Sequence, residues 1–236
     1  MRINKYIAQA GIASRRKADE LVVEGRVKVN GDVVRELGVQ IDPARDVVEV
    51  DGKKAQGIVV DKSYYAVYKP QGYVSTTTDR FGEKTVLSLV PTKERLFIVG
   101  RLDKDSEGLM ILTNDGDFAY AMMHPKHEVA KTYHVLVRGR INDGVLDHLR
   151  TGIELDDGKT ASCEVRVLRP EQADYWLEFV LHEGKKRQIR RMCAEEHLFV
   201  KQLIRVKIGL VELDGLKSGG FRKLDKGDLS IISPES

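Results

Sequence analysis

Apolar residues recur at helical spacing in two places near the start of the chain: Ile3, Ile7 and Ala10, and then Ala18, Leu21 and Val22. Such spacing puts each set on one face of an amphipathic helix. Gly11 is suited to end the first helix, and Ser14 stands where the N-cap of the second belongs. The pattern predicts two short helices joined by a glycine-containing turn.

The stretch that follows, "RVKVNGDVV", has the alternating pattern of a strand. Val27 and Val29 alternate with polar residues, and Asn30 and Gly31 separate them from a second apolar pair. Asn-Gly between alternating residues is a strong hairpin signal, because both turn positions must accept positive φ. The first part of the chain is therefore predicted to be helix, helix, hairpin.

Residues 51–62, "DGKKAQGIVVDK", have the polar, glycine-containing composition of a linker. New strand patterns begin directly after them. We therefore predict three parts: a small module over residues 1–50, a linker over residues 51–62 and a larger domain over residues 63–236.

Strand-like and helix-like patterns alternate irregularly in the larger part of the chain. The strand-like segments are residues 64–69, 96–99, 109–113, 132–138, 162–168, 175–182 and 200–213. Helical patterns cover residues 85–89, 117–123, 143–150 and 186–197. Several strands follow one another directly, so the order predicts an α+β domain with a mostly antiparallel mixed sheet.

Composition excludes several classes of protein. With 42% hydrophobic and 32% charged residues, the chain can bury a core and keep an ionic surface. No apolar run approaches the roughly 20 residues of a membrane span, and the N-terminus lacks the pattern of a secretory signal, so we expect a cytoplasmic protein. Cys163 and Cys193 are far apart and outside any paired ligand spacing, which argues against a disulfide framework or a zinc site.

The net charge is only +3, but the basic residues are clustered. Two runs carry the clustering, "SRRK" at residues 14–17 and "KKRQIRR" at residues 185–191. Such clusters are often solvated faces, yet two in one chain favour a polyanionic partner. Two short helices around a turn are also typical of a DNA-reading helix-turn-helix, so DNA is one alternative.

The acidic stretch "VGRLDKDSEGLMILTNDGD", residues 99–117, raises a choice between a metal and a reactive carboxylate. Read from Asp103, it starts like a calcium loop, but the twelfth position, which needs a bidentate glutamate, is Asn114. Calcium binding is therefore a poor interpretation. Two alternatives remain from the residues alone: a polar surface loop with internal ion pairs, and a tight loop between buried strands that presents Asp103.

The N-terminal sequence "RINKYIAQAGIASRRKADELVVEGRVKVNGDVV" closely resembles the small RNA-binding module named after ribosomal protein S-four. The resemblance, together with the hairpin after the helices, favours RNA over DNA. It implies that five residues face the RNA backbone: Ser14, Arg15, Arg16, Lys17 and Lys28. Phosphate contacts of this kind give affinity and position but no base identity.

Four later motifs resemble those of the RsuA/RluB family of ribosomal RNA pseudouridine synthases. They are "YKPQGYVST" at 68–76, "GRLDKDSEGLMILTNDG" at 100–116, "VAKTYHVLV" at 129–137 and "LHEGKKRQIRRM" at 181–192. With "LIRVKIG" at 203–209, they span essentially the whole chain in the family's order. The resemblance implies an isomerase that rejoins uracil to ribose through a ring carbon.

The same resemblance assigns roles to individual residues. It implies that Asp103 acts as nucleophile or base, that Arg190 pairs with Asp103, and that Tyr133 stacks on the uracil. Asp105 and Glu107 are then loop structure. Lys69 and Pro70 are expected to brace the catalytic loop. The family positions expected to contact the RNA are Arg101, Lys69, Lys185, Lys186 and Arg187.

As a whole, the resemblance predicts a monomeric enzyme of the cytoplasm that acts on ribosomal RNA or a pre-ribosomal particle, with no DNA or membrane partner. An isomerisation requires no cosubstrate, so neither a cofactor nor a metal is expected. The motifs "MMHPKHEVAKTYHV" and "LIRVKIGLVEL" are closer to the large-subunit, 23S branch. The alternatives are a small-subunit, 16S enzyme and a non-catalytic RNA-binding or ribosome-assembly protein.

Overall fold

The computed structural model describes residues 1–55, 61–77 and 82–229. The chain divides into two compact units, Met1–Asp61 and Lys62–Ser236. Within the described residues, no helix is both long and apolar enough to cross a membrane.

The first unit consists of two helices and a small antiparallel sheet. Its elements are α1 (Ile3–Gln9), α2 (Arg15–Val23), β1 (Val27–Val29), β2 (Asp32–Val34), β3 (Val48–Val50) and β4 (Lys53–Lys54). The strand order is β2-β1-β3-β4. The predicted helix, helix, hairpin order is confirmed, and β3 and β4 extend the hairpin into a sheet.

The local signals of the sequence account for this unit. The Ser14 side chain accepts a hydrogen bond from the Lys17 N–H at 3.1 Å and caps α2. Asn30 and Gly31 have φ of 53° and 94°, the positive values that their turn requires. The two predicted apolar faces meet in one core that includes Ile3, Ile7, Ala18, Leu21 and Val22.

The predicted linker is wrong at its start. Asp51 and Gly52 form the turn between β3 and β4, and both have positive φ. Ala55 is 3% exposed, packs in the core of the first unit and donates its N–H to the Val48 carbonyl. Composition misses this strand because a two-residue Lys-Lys strand at a sheet edge carries no apolar signal. Residues 56–60 of the predicted linker lie outside the described residues.

The second unit is a helix-covered sheet. Its strands are β5 (Tyr64–Lys69), β6 (Phe97–Val99), β7 (Glu107–Thr113), β8 (Lys131–Arg138), β9 (Glu164–Glu171), β10 (Asp174–Leu181), β11 (Phe199–Ile208), β12 (Val211–Glu212) and β13 (Phe221–Lys223). Its α-helices are α3 (Gly116–Met123), α4 (Asp143–Thr151), α5 (Gln188–Glu195) and α6 (Lys226–Leu229). Short 3₁₀-helices cover Val86–Leu89 and Pro125–His127.

Within the described residues, nine strands form the sheet of this unit, in the order β13-β5-β7-β11-β8-β10-β9, with β12 beside β11 and β6 beside β7. Among these described strands, β7 and β11 form the one parallel pair. The prediction of an α+β fold with a mostly antiparallel sheet is confirmed. The predicted strand over residues 200–213 is interrupted by a turn at Gly209, which separates β11 from β12.

Both faces of β7 are buried, which explains its unbroken apolar sequence. Met110 and Leu112 belong to a core that also contains residues of α4 and α5. Leu109 and Ile111 point to the opposite face and pack with residues of α3. The loop before β7 and the start of α5 thus meet at one end of the sheet.

Candidate active site

The loop of residues 100–106 connects β6 to β7 and carries Asp103. Gly100 has φ of +72°. Leu102 is 7% exposed and anchors the loop in the core, and the Ser106 N–H donates to the Asp103 carbonyl at 3.1 Å. The Asp103 side chain keeps 40% of its surface exposed. The loop is therefore fixed on both sides of a carboxylate that solvent can reach.

The segment that follows β5 braces this loop through its backbone. The Gly72 N–H donates to the Lys104 carbonyl at 2.8 Å. The buried Ser75 hydroxyl donates to the Leu102 carbonyl at 2.7 Å and accepts from the Leu102 N–H at 3.1 Å. These bonds hold the residues on either side of Asp103 without using its side chain.

Lys69, at the end of β5, supplies a further brace. Its ammonium is completely buried and donates to the Ser106 and Pro70 carbonyls at 2.6 Å and 3.0 Å. Burial disfavours the charged form and lowers the pKa of Lys69 to about 8, although nearby Glu107 and Asp105 oppose this shift. Lys69 thus makes the bracing contact expected of it, while its side chain is buried in this structure. Contact of Lys69 with RNA stays a prediction.

Arg187 and Asp105 form a forked ion pair at the loop. The guanidinium donates from Nη1 to Asp105 Oδ1 at 3.0 Å and from Nη2 to Oδ2 at 2.8 Å. These hydrogen bonds hold the pKa of Asp105 below its usual range. Arg187 Nη1 lies 3.8 Å from Asp103 Oδ2, beyond hydrogen-bonding distance.

Arg190 does not pair with Asp103 in this structure, and its catalytic role stays a prediction. Arg190 Nη2 donates to the Asp105 carbonyl at 2.9 Å and to Ser106 Oγ at 3.4 Å. Its Nε is 3.5 Å from Asp105 Oδ2 but is buried and makes no hydrogen bond in the described structure. The reason is the position of α5, whose first turn faces residues 105 and 106 of the loop.

The start of α5 explains why two arginines point at one loop. Arg187 is the N-cap residue and has φ of 51°, in the left-handed region that costs a non-glycine residue about 1–2 kcal/mol. Arg190 lies one helical turn later on the same side. A third arginine, Arg191, points elsewhere and pairs with Asp157 at 2.8 Å and 3.1 Å.

Tyr133 lies in β8, on the face of the sheet that α5 covers. It is 9% exposed and belongs to the same apolar core as Leu102 of the loop and Ile189 in the first turn of α5. Across the sheet it pairs with Arg205 of β11. Tyr133 and the Asp103 loop therefore share one core, and the stacking role of the ring stays a prediction.

Arg205 is a buried charged residue that sequence reasoning missed. It is 2% exposed, and its Nε donates to the Leu109 carbonyl at 2.8 Å. A charge inside the strand motif "LIRVKIG" was the available signal. Ser75 was also missed, because nothing in the motif of residues 68–76 distinguishes it from its neighbours.

The other residues of this unit that are predicted to contact RNA differ in whether their side chains already bind another part of the protein. Arg101 and Lys186 are exposed, and neither side chain has a partner among the described residues. The Lys185 ammonium instead donates to the Gly158 and Asp157 carbonyls at 2.6 Å and 3.1 Å. Arg101 and Lys186 are thus available to a ligand as they stand.

The acidic residues of the loop do not gather around a metal position. Within residues 1–55, 61–77 and 82–229, no group of three His, Cys, Asp or Glu side chains could hold an ion. Glu107 accepts from Gln202 Nε2 at 2.7 Å and from the Tyr68 hydroxyl at 3.3 Å. Its carboxylate and that of Asp105 are thus used within the protein.

In the first unit, the predicted backbone-binding residues lie at the start of α2 and in β1. Arg16 and Lys28 are exposed. Lys17 pairs with Glu20 at 2.7 Å, and Arg15 donates to Asn4 Oδ1 at 3.5 Å. Ser14 caps the helix with the same oxygen that it would offer to a ligand. Their contact with RNA stays a prediction.

Comparison with known proteins gives two family matches. The profile of the RNA pseudouridylate synthase family matches residues 63–195, and that of the S4 domain matches residues 1–48. The chain is 43% identical over 234 residues to an uncharacterized RNA pseudouridine synthase of Aquifex aeolicus, covering 98% of this chain and 93% of that protein.

Two further relatives are similar along most of their length. The ribosomal large subunit pseudouridine synthase B of Bacillus subtilis is 42% identical over 226 residues, which cover 94% of this chain and 91% of that protein. A crystal structure of a pseudouridylate synthase matches with a TM-score of 0.71 at 29% identity, covering 99% of this chain and 100% of that chain.

Proposed function

Because the chain belongs to the RNA pseudouridine synthase family and begins with an S4 domain, we propose that it isomerises uridine in 23S ribosomal RNA of the large subunit, with Asp103 as the catalytic carboxylate. The large subunit is the substrate in the name of the Bacillus subtilis relative. In this proposal residues 1–50 bind RNA and residues 63–236 carry out the reaction.

The reaction suits a single carboxylate. The bond from ribose C1′ to uracil N1 breaks, a bond from C1′ to C5 forms, and the proton lost at C5 is balanced by one gained at N1. No electrons leave the substrate, so no cosubstrate is consumed. An ionised carboxylate can attack the ribose or the base, or can remove a ribose proton.

The observation that carries the proposal is the bracing of the Asp103 loop. The Ser75 hydroxyl, the Gly72 N–H and the Lys69 ammonium bind the backbone at residues 102, 104 and 106. These bonds fix the backbone on both sides of Asp103, and the Asp103 side chain stays 40% exposed. Burying a lysine ammonium to brace a loop costs free energy, which a loop without a function would not repay. Accurate positioning of a reacting group, by contrast, contributes strongly to the reaction rate.

A uridine inside folded RNA has to leave its stack before the carboxylate can reach it, at a cost of a few kcal/mol. In the proposed complex Tyr133 stacks on the flipped base, and Arg101 binds the flanking nucleotides. Arg101 is exposed and has no partner among the described residues, which supports this role. Its planar guanidinium can both stack on a base and bind phosphate.

The test is to incubate the full-length protein with unmodified 23S and 16S transcripts and map pseudouridine by chemical labelling. We expect product in the 23S transcript. Asp103→Asn keeps the shape of the side chain but removes its charge, and should lower kcat by at least about a thousandfold. Asp156→Asn, which neutralises an exposed aspartate, serves as the matched control.

Each outcome decides a separate part of the proposal. Product in the 16S transcript alone would assign the enzyme to the small subunit. Equal product from Asp103→Asn and the natural protein would remove Asp103 from the mechanism. No product in either transcript, with RNA binding retained, would indicate a non-catalytic RNA-binding or ribosome-assembly protein.

A further inference from the structure

Three cations lie on one face of the sheet, next to the Asp103 loop. They are Lys69 of β5, Arg205 of β11 and Lys131 of β8. Side chains two residues apart on a strand share a face, and each cation stands two residues from a member of the apolar core that contains Tyr133. The strand order β5-β7-β11-β8 places Arg205 between the two lysines. The three residues thus form a row across the candidate site, the cation row.

Negative charge is unevenly distributed along the cation row. The carboxylates at positions 103, 105 and 107 act on the charge of Lys69. Arg205 is 2% exposed, and its hydrogen bonds go to neutral acceptors, the Leu109 carbonyl at 2.8 Å and Met110 Sδ at 2.9 Å. Among the described residues, no carboxylate forms an ion pair with this guanidinium. Arg205 is therefore a buried charge without a counter-ion.

Lys131, at the start of β8, is the partly exposed member of the cation row. Its ammonium donates to the Val129 carbonyl at 2.9 Å, which uses one of its three N–H groups. Burial and the charge of Arg205 lower the pKa of Lys131. In the described part of the chain, no carboxylate pairs with Lys131 either. Two of its N–H groups are thus available to a ligand.

Two neighbouring cations without a carboxylate destabilise the folded protein by themselves. The proposed reaction supplies a negative charge for them. When the bond from C1′ to N1 breaks, uracil leaves with the electron pair, and its charge spreads over the ring nitrogens and the two carbonyl oxygens. Fixed cations aimed at a charge that develops during a reaction lower its barrier. The charge disappears again when C5 joins C1′ and the C5 proton is lost.

We propose that Lys131 is a further catalytic residue, whose ammonium donates a hydrogen bond to a carbonyl oxygen of the departing uracil, with Arg205 beside it. The inference rests on the proposed isomerisation and on the stacking of uracil on Tyr133. Residues 131 and 133 are about 7 Å apart along one face of β8, so the edge of a base on Tyr133 is within reach of the ammonium. Lys131 keeps its proton throughout.

The first test is Lys131→Gln in the full-length protein, assayed with an unmodified 23S transcript. Glutamine keeps an N–H donor and most of the length of the side chain but removes the charge. We expect kcat at saturating RNA to fall about thirtyfold or more. The dissociation constant of the RNA, measured by filter binding, should change less than about twofold, because the charge on uracil is absent before the reaction.

Lys207→Gln is the matched control. Lys207 lies in β11 opposite Thr132, the neighbour of Lys131 in β8, and pairs with Glu212 at 2.6 Å. We expect this variant to keep the kcat of the unsubstituted protein. A control that loses as much kcat as Lys131→Gln would overturn the proposal.

Lys131→Arg separates the charge from the structure of β8. Arginine restores a positive charge with several N–H donors, so kcat should be at least about tenfold above that of Lys131→Gln. Urea titration followed by Trp176 fluorescence measures the stability of both variants. Equal kcat values in the two variants would overturn the proposal, because the charge would then have no part in the loss.

A phosphate contact of Lys131 would give a different result. RNA affinity would weaken and the slope of log affinity against log salt would fall by about 1, with kcat at saturating RNA unchanged. That result would overturn the proposal in favour of backbone binding. No product from the unsubstituted protein would overturn the proposed function as well, whereas product from it and an equal kcat from Lys131→Gln would overturn this inference alone.

Discussion

Gly108 lies where β7 meets both β5 and β11, opposite Lys69 on one side and Arg205 on the other. Its φ is +111°, and a Cβ atom at this position would lie 2.3 Å from the Arg205 carbonyl oxygen and 2.5 Å from its nitrogen. These neighbours are backbone atoms in the middle of a sheet and cannot move independently. Glycine is therefore required here for space as well as for conformation.

We expect Gly108→Ala to lower the free energy of unfolding of the second unit by about 3 kcal/mol or more, because strain and a backbone clash add. Urea titration followed by the fluorescence of Trp176, the single tryptophan, measures this unit directly. Gly215→Ala is the control: Gly215 also has positive φ, +66°, but no atom lies within 4 Å of the added carbon. Equal losses of unfolding free energy in the two variants would show that the close approach of the Arg205 backbone to residue 108 does not contribute to the effect.

At the scale of elements, the site depends on how the segment after β5 is fitted against the loop before β7. Ser75 is the clearest contact, since its hydroxyl satisfies both the N–H and the carbonyl of Leu102. Both partners are buried, so losing the hydroxyl leaves polar groups without this partner. The loop backbone at Leu102 would then be held less accurately in position.

Ser75→Ala should therefore cost about 1–3 kcal/mol in unfolding free energy and lower kcat about tenfold, with a smaller change in KM. Steady-state kinetics with the 23S transcript and urea titration check the two effects. Ser88→Ala removes a comparable hydroxyl, which donates to the Thr85 carbonyl at 2.8 Å on the exposed side of a 3₁₀-helix. A kcat of Ser75→Ala equal to that of the unsubstituted protein would show that the loop holds its position without this hydrogen bond.

At the scale of the whole molecule, the chain joins an S4 domain to a catalytic domain, and the proposal divides the work between them. Binding through phosphates is independent of base sequence and depends steeply on salt. Affinity is therefore expected from Arg15 and Arg16 of the first unit, and the choice of uridine from the RNA shape that the second unit accepts.

We expect Arg15→Glu with Arg16→Glu to weaken RNA binding and to reduce the slope of log affinity against log salt by about 2, one for each lost phosphate contact. Filter-binding titrations at several salt concentrations measure both quantities. Lys53→Glu with Lys54→Glu makes the same charge change in β4 of the same unit. Unchanged affinity in the arginine variant, or an equal loss in the lysine variant, would contradict a specific role for the start of α2.

Much of the fold could be predicted because its signals are local. The cap at Ser14, the Asn30-Gly31 turn and the period of each apolar stripe act over a few residues, so the sequence contains them completely. β4 was missed because its two lysines form a strand only when paired with β3. The turn at Gly209 was missed because apolar residues continue on both sides of it.

Some features of the candidate site could likewise be predicted from the sequence, and others depend on the tertiary structure. The ordered motifs identified the family and singled out the Asp103 loop, since they depend on residue types in sequence. They did not determine the partner of Arg190, the burial of Lys69 or the fork between Arg187 and Asp105. Those contacts join residues 37 to 85 positions apart, and their geometry depends on where α5 packs against the sheet.

The sequence by itself thus determined most of the elements, the family and the loop that presents a carboxylate, because propensity, periodicity and motif are properties of short segments. Only the tertiary structure decided which charges pair. Two carboxylates and two arginines at one end of a sheet allow several pairings, and differences of about 1 Å in their distances select among them. Those distances are set by the packing of β5, β7 and α5 around Leu102 and Gly108.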